Sequence, residues 1–197
     1  KVLLLFNILT LLSTKESYAR FPFDRYKKEK WDIEHINSQA DNFPSPNDRE
    51  DWLKDVQEYL DKNLSLHVNA EFLIKEIANL LQDKVNFVLL YQKIRGCLED
   101  SEDGDWVHGL GNLTLLDAST NRSYKNSLFP IKRARIIEND KTGLFVPICT
   151  KNAFLKFYSK SPKDLTFWKQ VDADAYLAAI SHTLISFNST LEEANHD

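Results

Sequence analysis

The sequence predicts an α+β domain, mostly helical with one embedded strand-strand-helix unit, and three observations carry that reading. The run Trp31-Asp32-Ile33-Glu34-His35-Ile36 is short and alternating, as a strand requires. A second short apolar run, Asn112 to Leu116, follows Gly111 far down the chain. Most of the sequence between and after these runs places apolar residues at helical spacing.

The elements follow in order. The first dozen residues, including Val2, Leu3, Leu4, Leu5, Phe6, Ile8, Leu9, Leu11 and Leu12, are too few to span a bilayer, and Ser13-Thr14-Lys15-Glu16 is a poor cleavage region. A core helix cut at its start is the better reading, and the absence of any methionine agrees with a fragment. In an extended 31–36, Trp31, Ile33 and His35 face one way and Asp32, Glu34 and Ile36 the other. Glu34 and His35 therefore reach one site only at the strand's end, or through a bend or bulge there. Ser45-Pro46 starts a helix presenting Trp52, Leu53, Val56, Tyr59 and Leu60. Residues 70–81 and 84–96 supply two more helices, packed through Phe72, Ile77 and Leu80 and then Phe87, Leu90, Tyr91 and Ile94. After the second strand, Asp117, Ser119 and Thr120 offer caps for a helix carrying Asn121 and Lys125 one turn apart. Phe145 to Ile148 reads as a short strand or extended turn, 151–159 as a short helix and 173–188 as the terminal helix.

Composition sets bounds. At 197 residues and 43% hydrophobic content the chain supports one core, with room for a satellite subdomain, and is not disordered. No low-complexity linker divides it, so residues 1–197 are read as a single domain. A net charge of −4 argues against a uniformly basic surface. Basic residues nevertheless cluster before the first motif (Arg20, Arg25, Lys27, Lys28, Lys30) and after the second (Arg122, Lys125, Lys132, Arg133, Arg135). Glu99, Asp100, Glu102, Asp103 and Asp105 read as a solvated acidic loop away from substrate. Cys97 and Cys149 are far apart with no CxxC pair, which leaves a zinc knuckle unsupported and favours two reduced, partly buried thiols in a cytoplasmic protein.

Asp32-Ile-Glu-His-Ile36, Gly111-Asn-Leu-Thr-Leu-Leu116, Asn121, Asn126, Phe129 and Lys132 together resemble the C-terminal domain of the GmrSD-type modification-dependent restriction endonucleases, a branch of the HNH, or His-Me finger, nucleases. The resemblance extends more loosely over residues 1–188. It implies a ββα-metal finger in two halves, about 31–39 and 111–133, within a C-terminal fragment of a longer protein. It also implies that Glu34 and Asn121 hold a divalent metal, Mg²⁺ first and Mn²⁺ as the alternative, and that His35 is the general base. One departure is visible: Ser38-Gln39 stands where the family usually continues with proline and glutamine. The resemblance further implies DNA, in modified form, as substrate, a role in restriction and phage defence, and an upstream ParB-like nucleotide-hydrolysing domain or subunit. No phosphate-binding glycine-rich loop occurs in these residues, so nucleotide hydrolysis is not assigned to them.

The chemistry agrees with those assignments. Phosphodiester hydrolysis needs neutralisation of developing charge and a base to prepare water. A carboxylate and an amide oxygen are suitable hard-cation ligands. A histidine with a reference pKa of about 6.5 is substantially neutral near pH 7. Arg122, Lys125 and Lys132 are read as phosphate contacts. Asp32, His108, Asn112 and Asn126 are supporting residues, Asn112 as a brace for the loop. Bland readings stand beside these: an isolated Glu-His pair is usually structural, Asn121 is a common helix-start residue, and basic runs are usually solvated faces. Trp31, Trp52, Trp106 and Trp168 read as packing groups. The leading expectation is a metal-dependent DNA endonuclease; a noncatalytic nucleic-acid-binding domain and a structural partner module are the alternatives.

Overall fold

A computed structural model describes residues 1–14, 19–38, 43–83, 86–99, 104–118, 126–159 and 164–194. The chain is mostly helical, with one two-stranded antiparallel sheet. Its described elements are α1 (Val2–Ser13), α2 (Phe23–Lys28), β1 (Trp31–His35), α3 (Arg49–Lys62), α4 (Ala70–Asp83), α5 (Phe87–Leu98), β2 (Leu113–Asp117), α6 (Phe129–Lys141), α7 (Ile148–Phe154) and α8 (Gln170–Ala194). Short 3₁₀ turns occupy Leu64–Leu66, Asp105–His108 and Leu110–Asn112. No described helix is long and apolar enough to cross a membrane.

Both expected strands are present, the first ending at His35 rather than Ile36 and the second shifted by one residue to Leu113–Asp117. They pair in the register Trp31 with Asp117, Asp32 with Leu116, Ile33 with Leu115, Glu34 with Thr114 and His35 with Leu113. Residues opposite one another share a sheet face, so Glu34 sits with Thr114 and His35 with Leu113.

Two clusters of buried side chains flank this arrangement. The first gathers Ile36, Leu115 and Leu116 with Phe6 of α1, Phe129 and Ile136 of α6, Phe154 of α7, Trp168 and Tyr176. Phe129 and Phe154 stack at 5.6 Å within it. The second is built from α3, α4 and α5, around Trp52, Leu53, Ile77, Tyr91 and Ile94. Leu128 and Ile131 belong to the second cluster and Phe129 to the first, so the opening turn of α6 is wedged between them. Pro130 in that turn costs no hydrogen bond, because the first N–H groups of a helix have no partner within it.

The apolar start is a helix with Leu3, Phe6 and Leu9 buried. Asn7 is buried on the same face. Its amide donates to the Leu3 carbonyl at 2.8 Å, and its oxygen accepts from the Cys149 backbone N–H at 2.9 Å. Cys149 is buried, Cys97 half-buried, and neither is in a disulfide. All four tryptophans pack: Trp52 and Trp168 are fully buried, and Trp31 and Trp106 lie against the first cluster.

Several expectations are corrected. The helix expected from Ser45-Pro46 begins at Arg49, because Ser45 and Asp48 close a turn first, with the Ser45 hydroxyl donating to Asp48 at 2.6 Å. Of the two readings of Phe145 to Ile148, the strand is not formed among the described residues, and α7 starts directly after Pro147. That helix stops at Phe154 rather than running to 159, because Lys156 adopts a left-handed conformation, φ +58°. The terminal helix is longer than 173–188 at both ends. Phe72 is 52% exposed, with the Lys93 ammonium over its ring, instead of packing inward. Glu99 is buried and paired with Arg95, so the acidic run does not start as a solvated loop.

Candidate active site

The end of β1 is a structural junction. Beyond His35 the chain bends, and the backbone N–H of Ile36 donates to the Asn112 carbonyl at 2.9 Å. The fully buried Asn112 side chain then accepts from the Asn37 N–H at 2.8 Å and donates to the Asn37 carbonyl at 3.0 Å and the Val107 carbonyl at 2.8 Å. Three backbone groups that would otherwise be buried without partners are satisfied by one amide. Gly111 beside it is equally constrained: a Cβ there would lie 2.4 Å from the Ala173 carbonyl oxygen in the first turn of α8. Thr114 completes the brace, its hydroxyl donating to Thr150 of α7, which donates in turn to the Leu115 carbonyl. The glycine, asparagine and threonine of the second motif are thus the fastening of β2 to its surroundings.

The loop after β1 is tied to the segment before α6 in the same way. Ser38 is buried and its hydroxyl donates to the Ser127 carbonyl at 2.6 Å. That is an anchor a proline at this position does not offer. Asn126 adopts φ +61°, a left-handed conformation asparagine tolerates better than most residues, and its carbonyl accepts from the Trp52 indole at 3.3 Å.

Glu34 and His35 meet a single partner from α6. The Lys132 ammonium lies 2.5 Å from Glu34 Oε1 and donates to the His35 carbonyl at 2.8 Å. Its side chain is 2% exposed and that of Glu34 15%. The sequence reading of Lys132 as a phosphate contact is therefore redirected, since its charge is spent inside the fold. Two other basic residues of α6 also have partners: Arg133 donates to the Phe154 carbonyl at 3.1 Å and Arg135 pairs with Asp55.

The half-buried His35 imidazole is held below the ordinary histidine range. Burial is the main cause and the Lys132 charge the next; Glu34 opposes the shift and His108 adds to it. His108 closes the 3₁₀ turn before Gly109, and the Val107 carbonyl of that turn is tied through Asn112 to Asn37 at the end of β1. A lowered value keeps the ring neutral at neutral pH, as a proton acceptor must be. Asp32 is exposed, two residues from Glu34 on the same strand face. Asn121, Arg122 and Lys125 lie outside the described residues.

No group of three His, Cys, Asp or Glu side chains converges among the described residues. The Glu34 carboxylate is a hard oxygen donor of the kind that Mg²⁺ takes one or two at a time. Oε1 of that carboxylate is held by Lys132.

The decisive comparison concerns the second half of this junction. Residues 89–145 match the family model of the GmrSD restriction endonucleases, C-terminal domain. The GmrSD match runs from within α5 through β2 and α6, and so contains His108, Gly111, Asn112, Asn121, Asn126 and Lys132. Glu34 and His35 lie before it and are joined to it by the β1–β2 ladder and by Lys132. No curated protein and no solved structure matches the chain.

Proposed function

We propose that this chain is the nuclease domain of a GmrSD-type restriction endonuclease, hydrolysing DNA phosphodiester bonds with a divalent metal. The observation that carries the proposal is the pairing of β1 with the β2 strand of the GmrSD-matched segment, which fixes Glu34 and His35 at the edge of that segment. In this reading β1, β2 and the residues following Asp117 make up the ββα finger.

His35 is the general base: its neutral ring accepts the proton of the attacking water, and its burial keeps that ring neutral. Glu34 and Asn121 are the metal ligands. The bound ion supplies neutralisation of the charge that develops on the phosphate and leaving oxygen. Asp32, His108 and Asn126 are read as supporting residues, and Asn112, bonded to both backbone groups of Asn37, as the brace for the end of β1. Arg122 and Lys125 bind flanking phosphates. Mg²⁺ is the expected metal, with Mn²⁺ able to replace it. Modified or foreign DNA is the expected substrate in a cytoplasmic restriction system, with a ParB-like nucleotide-hydrolysing region as upstream partner.

The test is cleavage of modified and unmodified duplex DNA with metal withheld and then restored. Cleavage that appears only on adding Mg²⁺ or Mn²⁺ supports the proposal. Binding without cleavage under every metal condition would instead make this a noncatalytic nucleic-acid-binding domain.

A further inference from the structure

Lys132 is the most deeply buried charge near the β1 tip, and its surroundings give it a defined geometry. Its backbone sits in the opening turn of α6, where Leu128, Phe129 and Ile131 are buried in the two hydrophobic clusters. Its stem is enclosed, and its ammonium emerges at two consecutive residues of a strand 97 positions earlier, on the Glu34 carboxylate and the His35 carbonyl. Burying an ammonium is costly unless it is paired and hydrogen-bonded, and here both conditions are met. The surface pairs Lys54–Glu50 and Lys62–Glu58 are different, being exposed neighbours one helical turn apart.

Such a contact fixes more than the fold. A carboxylate that is to hold a hard cation must present an oxygen in a defined direction, and the contact of Oε1 with the buried Lys132 ammonium restrains how that carboxylate can turn. The bond to the His35 carbonyl fixes the backbone from which the imidazole projects. A phosphate cannot reach an ammonium that is 2% exposed without displacing these partners.

We propose that Lys132 is a positioning residue that locks the Glu34 carboxylate and the His35 backbone in their working geometry and makes no contact with DNA. This rests on the nuclease reading above. The test compares Lys132→Met with wild type in three measurements. Turnover at saturating DNA and Mg²⁺ falls by roughly a hundredfold, the scale on which small misplacements of catalytic groups act, while KM is unchanged. Affinity of the metal-free protein for a short duplex keeps its wild-type salt slope, because no phosphate contact has been lost. Nitrogen-detected NMR of lysine ammonium groups in wild type shows the Lys132 signal moved by Mg²⁺ alone and not by duplex alone. That third measurement decides the question if Lys132→Met does not fold.

Unchanged turnover in the folded variant overturns the proposal. So does weakened DNA binding with a flattened salt slope, or a Lys132 signal that responds to duplex and not to Mg²⁺. A wild-type protein that never cleaves removes the nuclease reading and this proposal together, whereas an active wild type with an equally active Lys132→Met variant removes only the latter.

Discussion

The side-chain amide of Asn112 takes the place of a β-bridge partner for Asn37, binding both its N–H and its carbonyl. Asn112→Ala leaves those two groups and the Val107 carbonyl buried without partners. We expect a loss of about 3 kcal/mol in urea unfolding, since each stranded buried group costs about 1–3 kcal/mol. Asn112→Asp recovers little, because a carboxylate accepts from the Asn37 N–H but donates to neither carbonyl. Full stability of the aspartate variant would show that the two donated bonds contribute nothing.

Gly111→Ala places a methyl group against the Ala173 backbone oxygen, which has no rotamer through which to yield. The first turn of α8 must move, and about 1–3 kcal/mol of stability is lost, the usual range for overpacking. Denaturant midpoints of Gly111→Ala and Gly96→Ala make the comparison, because a Cβ at Gly96 meets nothing within 4 Å. Equal midpoints would mean that α8 is not seated as described.

His35→Ala is expected to fold as wild type and to cleave DNA about a hundredfold or more slowly, the scale of general-base assistance. Asn121→Ala acts differently, raising the Mg²⁺ concentration needed for half-maximal rate. Metal-dependence curves of both variants separate the roles; identical curves for wild type and Asn121→Ala would remove Asn121 from the metal site.

How much of this was legible in the sequence depends on the range of the interaction. The alternation of the first strand, the short apolar run of the second and the helices around Trp52 and Tyr91 were readable, because those patterns are local. Lys132 was not: in a run of lysine and arginine it looks solvated, and nothing local reveals a carboxylate 98 residues earlier (132 − 34) as its partner. Lys156 is a second case. A lysine after an apolar segment gives no hint that it caps α7 in a left-handed conformation, with its ammonium buried 2.7 Å from Asp172. The Gly111-Asn112 dipeptide drew notice as a motif, yet its steric reason became visible only once α8 lay against it.

Acid should destabilise the fold through its buried imidazoles. Burial holds both His35 and His67 below the ordinary histidine value, so the unfolded chain takes up protons on them at a higher pH than the folded chain does. Their contribution is fully present above about pH 6.5 and is lost as pH falls from there toward the folded-state values. His67→Gln, which keeps a hydrogen-bonding group for the Tyr59 hydroxyl, should show a smaller drop in Tm between about pH 7 and pH 5. An identical drop would assign the acid sensitivity to other groups.

The basic residues divide by their partners. Arg135 is committed to Asp55 and Arg133 to the Phe154 carbonyl, so Arg135→Gln should leave the salt dependence of DNA binding unchanged. Arg122→Gln combined with Lys125→Gln should reduce the salt slope by about two phosphate contacts. Measured on His35→Ala protein, a slope that responds to Arg135 and not to the double variant would move the DNA path to the α3–α6 face.

The ladder between β1 and β2 also governs when the site comes into being. Among the described residues the sheet has two strands, and α3, α4 and α5 are made between them. A nascent chain that has exposed Glu34 and His35 therefore has no strand to hold them, and the Lys132 anchor is synthesised later still. A chain synthesised only as far as α5 thus carries Glu34 and His35 with neither the paired strand nor the ammonium that holds them.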